Sequence, residues 1–485
     1  MLYKKGDLMS IQIAIILSYF ALTLFLGVFT SKGTSNRSFH GTRLGVAAIV
    51  CASAGEWLGG TATTGVSEYG FVYGISGAWY TISNGLGVLF LALFFAKIYR
   101  SIDRMTIPGI IDHVFGHKAQ IISSIILVVV MLAVGMSQII AAGKFGQALL
   151  GLDFNMSAII FTVIFVIYTL VGGMNAVRST NTMHLLVMYF GIFTAIIILI
   201  SRIGGWGSFT VAISTIDAVE GTNHMSMTAI GFPKISSWVI ASLLGACTAQ
   251  AGIQPVLAAK DASTARKACF YTSIVTAPFG IMTALIGIVG KIMASQGNLV
   301  DMSGSIVVDG KLALTSVMMT LPPVVGGLVL AAELAAILST ASPIILASGT
   351  MLTKDFYQIV INSKADEKKL LKVSRITTAI SGLICCAGAI ALVNNNNVLD
   401  IVYSAYSLRG ALFIVLIYGF LWKRASAKAA GISIICTGVV SVCWVLFKII
   451  CGHYPIAIWF TETYAAVLTA AVTMLVLSLY FNRKT

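Results

Sequence analysis

Runs of about 20 apolar residues, separated by short charged or turn-forming stretches, recur about thirteen times along this chain. A run of that length is what one helix needs to cross a hydrocarbon core. In a membrane every backbone N–H and C=O must be satisfied within its own element, so repeated runs of this kind dictate a bundle of transmembrane helices. Composition agrees: 58% of the 485 residues are hydrophobic and 10% charged, where a soluble domain carries about 25% charged residues. The fold class expected is therefore an all-α polytopic membrane protein. Spans are placed near 10–29, 44–70, 75–99, 119–150, 154–174, 183–204, 233–257, 268–294, 317–351, 372–393, 398–422, 428–451 and 459–481.

The formal charge of +14 is distributed unevenly. About 22 of the 31 Lys and Arg residues fall in alternate connections, including Lys32, Arg37 and Arg43, the series Lys364 to Arg375, and Lys423, Arg424 and Lys428. The positive-inside rule then puts the N-terminus outside and the C-terminus in the cytoplasm of a multi-pass protein of the plasma (inner) membrane. The turn Asn394–Asn397 and the stretches 205–232 and 295–316 fall on the outer side.

Two spans carry small residues where a continuous helix would prefer bulk. The second reads Ala52-Ser53-Ala54-Gly55-Glu56-Trp57-Leu58-Gly59-Gly60-Thr61, and the seventh reads Gly245-Ala246-Cys247-Thr248-Ala249-Gln250-Ala251-Gly252 before Gln254-Pro255. Paired interruptions of this kind open backbone carbonyls and half-helix ends to ions and solute near the midplane; packing between helices is the alternative use of such residues.

Four charges lie inside apolar runs: Glu56, Lys144, Glu333 and Arg409. Each costs about 2.5–3.5 kcal/mol if left bare at a bilayer centre. Lys144 is close enough to the end of its span to snorkel toward Asp153. Arg409 has no such exit: it suits bidentate capture of a substrate carboxylate, or pairs internally with Glu56 or Glu333. In the ninth span Ser339 and Thr340 offer adjacent hydroxyl oxygens to a hard cation, and Glu333, Ala336 and Thr340 share one face.

Three stretches carry a resemblance to a known family: Tyr168-Thr169-Leu170-Val171-Gly172-Gly173-Met174-Asn175-Ala176-Val177; Leu257-Ala258-Ala259-Lys260-Asp261; and Ala335-Ala336-Ile337-Leu338-Ser339-Thr340-Ala341, followed by Lys354-Asp355-Phe356-Tyr357. On these the chain resembles the solute:sodium symporter family, which includes sodium-coupled sugar, proline and sialic acid carriers. The resemblance implies a LeuT-type core of two inverted five-helix repeats, at 44–204 and 233–422. An extra N-terminal helix and loop (1–43), an outer loop (205–232) and two C-terminal helices (423–485) complete it. It also implies a Na+ site formed by the carbonyls of Val50, Ser53 and Ala336 and the hydroxyls of Ser339 and Thr340. Solute would sit near Glu56, Trp57, Gln138, Gln250 and Arg409, with Asn84 further out. The chain departs from the family at Thr180-Asn181, where many members carry Thr-Asp and a second sodium is associated with the carboxylate. It departs again at Gln254-Pro255, where Gln-Arg is common. Glu333 is outside the family pattern, and with Asn181 it stands as a coupling or proton-site candidate.

The function expected is sodium-coupled symport of a small organic solute, with a carboxylate on the solute as the reading Arg409 favours. A proton-coupled carrier and a transporter-like sensor are the competing readings, with an intramembrane enzyme further behind. No G-x-x-x-x-G-K-[ST], G-x-G-x-x-G or H-E-x-x-H is present to support nucleotide or zinc chemistry. The partners expected are the solute, Na+ and the bilayer.

Overall fold

The structure, a computed structural model, describes residues 5–31, 43–104, 106–301, 304–394 and 398–482. Lys4, Lys32, Arg37, Arg483, Lys484 and most of the turn 394–397 lie outside the described residues, as do the side chains of 171–180. The described chain is helical throughout: α1 Lys5–Ser31, α2 Val46–Trp57, α3 Val66–Tyr73, α4 Trp79–Phe90, α5 Ala96–Ile102, α6 Ile107–Phe115, α7 His117–Leu150 and α8 Phe154–Arg202. There follow α9 Trp206–Glu220, α10 Phe232–Gly245, α11 Gln250–Leu257, α12 Ala262–Thr276, α13 Phe279–Ser295, α14 Ala313–Met319 and α15 Pro323–Met351. The chain closes with α16 Glu367–Leu392, α17 Val398–Leu421, α18 Ala427–Cys451 and α19 Glu462–Asn482.

Among the described residues nine helices are long and apolar enough to cross a membrane, or ten if the bent pair α10–α11 is one span. The count of thirteen is not confirmed: among the described residues the runs expected at 10–29 and 154–174 appear as the shorter apolar helices Ser10–Thr23 and Phe154–Leu170, and much of the runs at 44–70 and 75–99 falls within one span, Thr61–Ile102. Wide π turns at Thr61–Gly65 and Leu91–Phe95 lead directly into α3 and α5 within one span, and a third, Leu352–Ile361, prolongs α15 to the end of its span.

Both expected interruptions are present. In the second run the helix stops at Trp57, with Leu58 at φ −103° and ψ 36°, and resumes in the Thr61–Gly65 turn. In the seventh, a short 3-10 turn leads to Ala249, extended at ψ 87°, and the chain turns by 44° into α11. Pro255 within α11 has no N–H to give back to Ala251, which helps keep this stretch open. The two broken spans pack on each other: the Ser53 hydroxyl donates to the Gly252 carbonyl at 3.1 Å, and a Cβ on Gly252 would meet the Trp57 indole at 3.0 Å.

The polar contacts sort the connections into two faces. On the basic-rich face the backbones of Leu44 and Ala258–Lys260 pair, and Arg100 Nε donates to the Ala259 carbonyl at 2.6 Å. On the basic-poor face Lys144 pairs with Asp309, Lys234 with Asp400, Lys291 with Glu220 and Lys311 with Glu68. The partner expected for Lys144 is thus corrected: Asp153 instead caps α8 through the Asn155 N–H, and the ammonium takes Asp309, brought over it by the segment before α14.

Candidate functional site

At the first break the backbone frees acceptors. The Gly60 N–H, whose helical acceptor would be the Glu56 carbonyl, donates instead to Gln138 Oε1 on α7 at 2.8 Å. That leaves the Glu56 carbonyl to Thr340, whose hydroxyl lies 3.3 Å from it and 3.2 Å from the Gly55 carbonyl. Ser339 Oγ lies 3.3 Å from the same Gly55 oxygen and 2.9 Å from the Ala336 carbonyl. Five oxygens from α2 and α15 therefore converge in a buried place, the kind of all-oxygen donor set a hard cation takes. Close approach depends on Gly59, where a Cβ would fall 2.2 Å from Thr340 Oγ1.

The carbonyls within hydrogen-bond reach of these hydroxyls are those of Gly55, Glu56 and Ala336; the Val50 and Ser53 carbonyls of the sequence expectation are not among their acceptors. Asn181 packs beside this cluster, its Nδ2 3.4 Å from the Ala52 carbonyl and its Oδ1 buried without a partner.

Beside the oxygen cluster lies a cavity with about 20 Å³ of free volume, room for about one water. Glu56, Trp57, Gln138, Thr340 and Arg409 line it, together with Tyr80 and Tyr406, which the sequence reading did not single out. Arg409 is 3% exposed, its guanidinium carbon 3.7 Å from the Tyr406 ring centre and 5.5 Å from that of Trp57. Stacked on these faces, Nε and Nη2 remain buried without a hydrogen-bond partner. Glu56 Oε2 is likewise unpartnered. Neither internal ion pair considered for Arg409 forms: Glu56 shares the cavity without pairing, and Glu333 is bonded to Thr64 and Thr315.

Two expected solute residues are elsewhere. Gln250 Oε1 accepts the Ile107 N–H at 2.8 Å, capping α6 away from the cavity. Asn84 on α4 is fully buried, makes no hydrogen bond with either amide atom, and does not line the cavity. Gln138 does reach it, yet both ends of its amide are engaged, Oε1 by Gly60 and Nε2 by the Thr61 hydroxyl at 2.7 Å. Of the two cavity tyrosines, Tyr406 could have been found from sequence, because it stands three residues before Arg409, about one helical turn away on the same face, whereas Tyr80 carries no such local signal.

The family model described as the sodium:solute symporter family matches residues 33–438. The chain belongs to that family. Among its relatives are a high-affinity proline transporter, PutP, of Bacillus subtilis strain 168, 25% identical over 438 residues (87% of this chain, 89% of the relative). A sodium/proline symporter of Staphylococcus aureus is also 25% identical, over 456 residues (90% and 86%). Among solved structures, a substrate-bound, outward-open sodium-coupled sialic acid symporter superposes with a TM-score of 0.77 at 18% identity, covering 97% of this chain and 98% of that one. MhsT in complex with L-phenylalanine gives 0.56 at 11% identity, covering 90% and 99%. These likenesses establish the LeuT-type fold of sodium symporters. The chain is a transporter of the sodium-coupled symport class, and not an enzyme.

Proposed function

We propose that this symporter imports a small zwitterionic or carboxylate-bearing solute together with sodium held between α2 and α15. The observation that carries this reading is the Arg409 guanidinium, in no ion pair, stacked on Tyr406 with buried, unpartnered Nε and Nη2 groups, on a residue that lines the cavity next to the oxygen cluster. A buried cation with open donors fits a carboxylate bidentately. Glu56, also unpartnered in the same cavity, supplies the opposite charge for an ammonium. Sodium would take the hydroxyls of Ser339 and Thr340 and the carbonyls of Ala336, Gly55 and Glu56. The basic-rich face would be cytoplasmic, with the N-terminus outside, as the charge bias demands.

Energetics favour a zwitterion. One charge moving through 100 mV releases about 2.3 kcal/mol, and a tenfold sodium gradient adds about 1.4 kcal/mol. A zwitterion leaves both contributions available, whereas a monoanion carried with one sodium cancels the electrical part. That the relatives named above are proline carriers agrees with an amino-acid-sized zwitterion.

Thermal unfolding of the purified chain in sodium against choline tests the ion site, because a ligand of the folded state stabilises by about RT ln(1 + [L]/Kd). A rise specific to sodium that disappears in Thr340→Ala is expected. Proline, other amino acids and carboxylates are then screened in sodium, where Arg409→Gln should weaken the responding solute at least tenfold. Equal responses of Arg409→Gln and the unaltered chain would refute the carboxylate assignment.

A further inference from the structure

From the surroundings of Glu333 we infer a second coupling site, separate from the Ser339–Thr340 cluster, that holds one monovalent cation, a proton or a sodium ion. The inference rests on the sodium-symport reading but concerns a different group of atoms. Glu333 stands on α15 seven residues before Thr340, about 10 Å along the helix. It is 3% exposed and closed in by two other elements. Its Oε1 accepts from Thr64 in the wide turn of the second span at 3.2 Å, and from Thr315 on α14 at 3.0 Å. Its Oε2 is buried with no partner. The Ser67 hydroxyl, one turn beyond Thr64, is also buried and unpartnered.

Among the described residues no base forms an ion pair with Glu333, and those on the elements around it are engaged elsewhere. Lys311 reaches Glu68, Lys144 reaches Asp309, Arg202 donates to the Thr320 carbonyl, and His184 meets the Tyr19 hydroxyl. The acids of these elements, Glu56 and Glu68, add no compensating positive charge. An ionised carboxylate in such a place lacks the countercharge that burial requires. Two hydroxyls on one carboxylate oxygen, with the other oxygen open, leave a position where a positive charge would meet Oε2 and hydroxyl lone pairs. Because Thr64 belongs to the broken span and Thr315 to the segment over the basic-poor end of the bundle, the ion's presence would reach both elements.

The test uses the full chain in detergent, with saturable 22Na+ binding and infrared difference spectra of the unaltered protein, Thr340→Ala and Glu333→Gln. Glutamine keeps the shape and the two hydroxyl contacts. If sodium is the occupant, the unaltered protein binds two ions and each variant one. If a proton is the occupant, Glu333→Gln leaves the sodium count unchanged but removes a protonated-carboxyl stretch from the spectrum. Thr315→Val provides a second readout, expected to weaken the second sodium or to shift that same stretch while Thr340-dependent binding persists. An unchanged sodium count together with an unchanged carboxyl band in Glu333→Gln would overturn the inference. A sodium count insensitive to Thr340→Ala would instead defeat the primary-site reading, and the Glu333 result would be read independently.

Discussion

Gly59 and Gln250 separate two uses of a residue near a binding site. Gly59 lines the cavity with backbone alone, and a Cβ there would be forced into Thr340 Oγ1 at 2.2 Å, so Gly59→Ala should weaken sodium at least tenfold, about 1.4 kcal/mol. Sodium titration of thermal unfolding checks this, and an affinity within twofold of the unaltered chain would refute it. Gln250 makes the opposite prediction. Its side chain caps α6, so Gln250→Leu orphans the Ile107 N–H and should cost about 1–3 kcal/mol of stability while leaving solute affinity in sodium unchanged. A large affinity loss at unaltered stability would return Gln250 to the solute site. From sequence, Gln250 looked like a pocket residue because it sits in the middle of a break. Breaks expose backbone in every direction, and only the packed structure shows that its side chain points toward the start of α6 while Ala249, Ala251 and Gly252 face the cavity.

At the scale of elements, the segment leading into α14 is fastened over the basic-poor end of the bundle at three points: Asp309 to Lys144 on α7, Lys311 to Glu68 on α3, and Thr315 to Glu333 on α15. Burial by itself would raise the Asp309 carboxyl. The nearby Lys144 charge and its hydrogen bond, with the Lys311 N–H and charge, outweigh burial and hold the group below its ordinary value. For a depressed acid the sign is fixed: its contribution is complete above the ordinary carboxylate pKa and is lost as pH falls through the depressed one. Amide hydrogen exchange in 310–319, corrected for intrinsic rates, should therefore accelerate on acidification below the usual carboxylate range. Lys144→Met should move that acceleration to higher pH, and identical profiles for the two chains would refute the fastening role. The two broken helices were legible in sequence because small residues and Pro255 interrupt apolar runs, a local signal. The fastening was not, since Lys144 and Asp309 are far apart in the chain and nothing in either neighbourhood names the other. The carbonyls that the Thr340 hydroxyl reaches were not legible either, since the Gly60 N–H is drawn off by Gln138 on another helix, and nothing near Glu56 in the sequence names that residue.

For the whole molecule, the decisive quantity is the 20 Å³ of free volume beside Arg409, far too little for an amino acid. The bundle is closed above and below this cavity. Toward the basic-poor face Lys234 bridges Asp400 at 3.0 Å and the Tyr69 hydroxyl at 2.6 Å, and Tyr69 also donates to Asp400 at 2.8 Å. Beneath them Trp238 stacks on Tyr403 with ring centres 4.4 Å apart. Toward the basic-rich face the Tyr99 hydroxyl holds the Cys247 carbonyl at 2.8 Å, and Arg100 holds that of Ala259. Solute can enter only when one set of contacts parts while the other persists, which is alternating access expressed in named bonds. The Lys234–Asp400–Tyr69 contacts join the two broken spans to α17, so weakening them should favour opening on the basic-poor side alone. A charge-assisted hydrogen bond contributes about 1.5–3 kcal/mol, and losing about 1.4 kcal/mol of it raises the open population about tenfold. Ala249 lines the cavity, and in a chain freed of its native cysteines Ala249→Cys offers a single thiol to a membrane-impermeant reagent. Added Asp400→Asn should speed labelling from the basic-poor side several-fold or more, with labelling from the basic-rich side unchanged or slower. Equal rates with and without Asp400→Asn would show that these contacts do not hold that side shut, and faster labelling from both sides would mean that the substitution loosened the bundle rather than opened one gate.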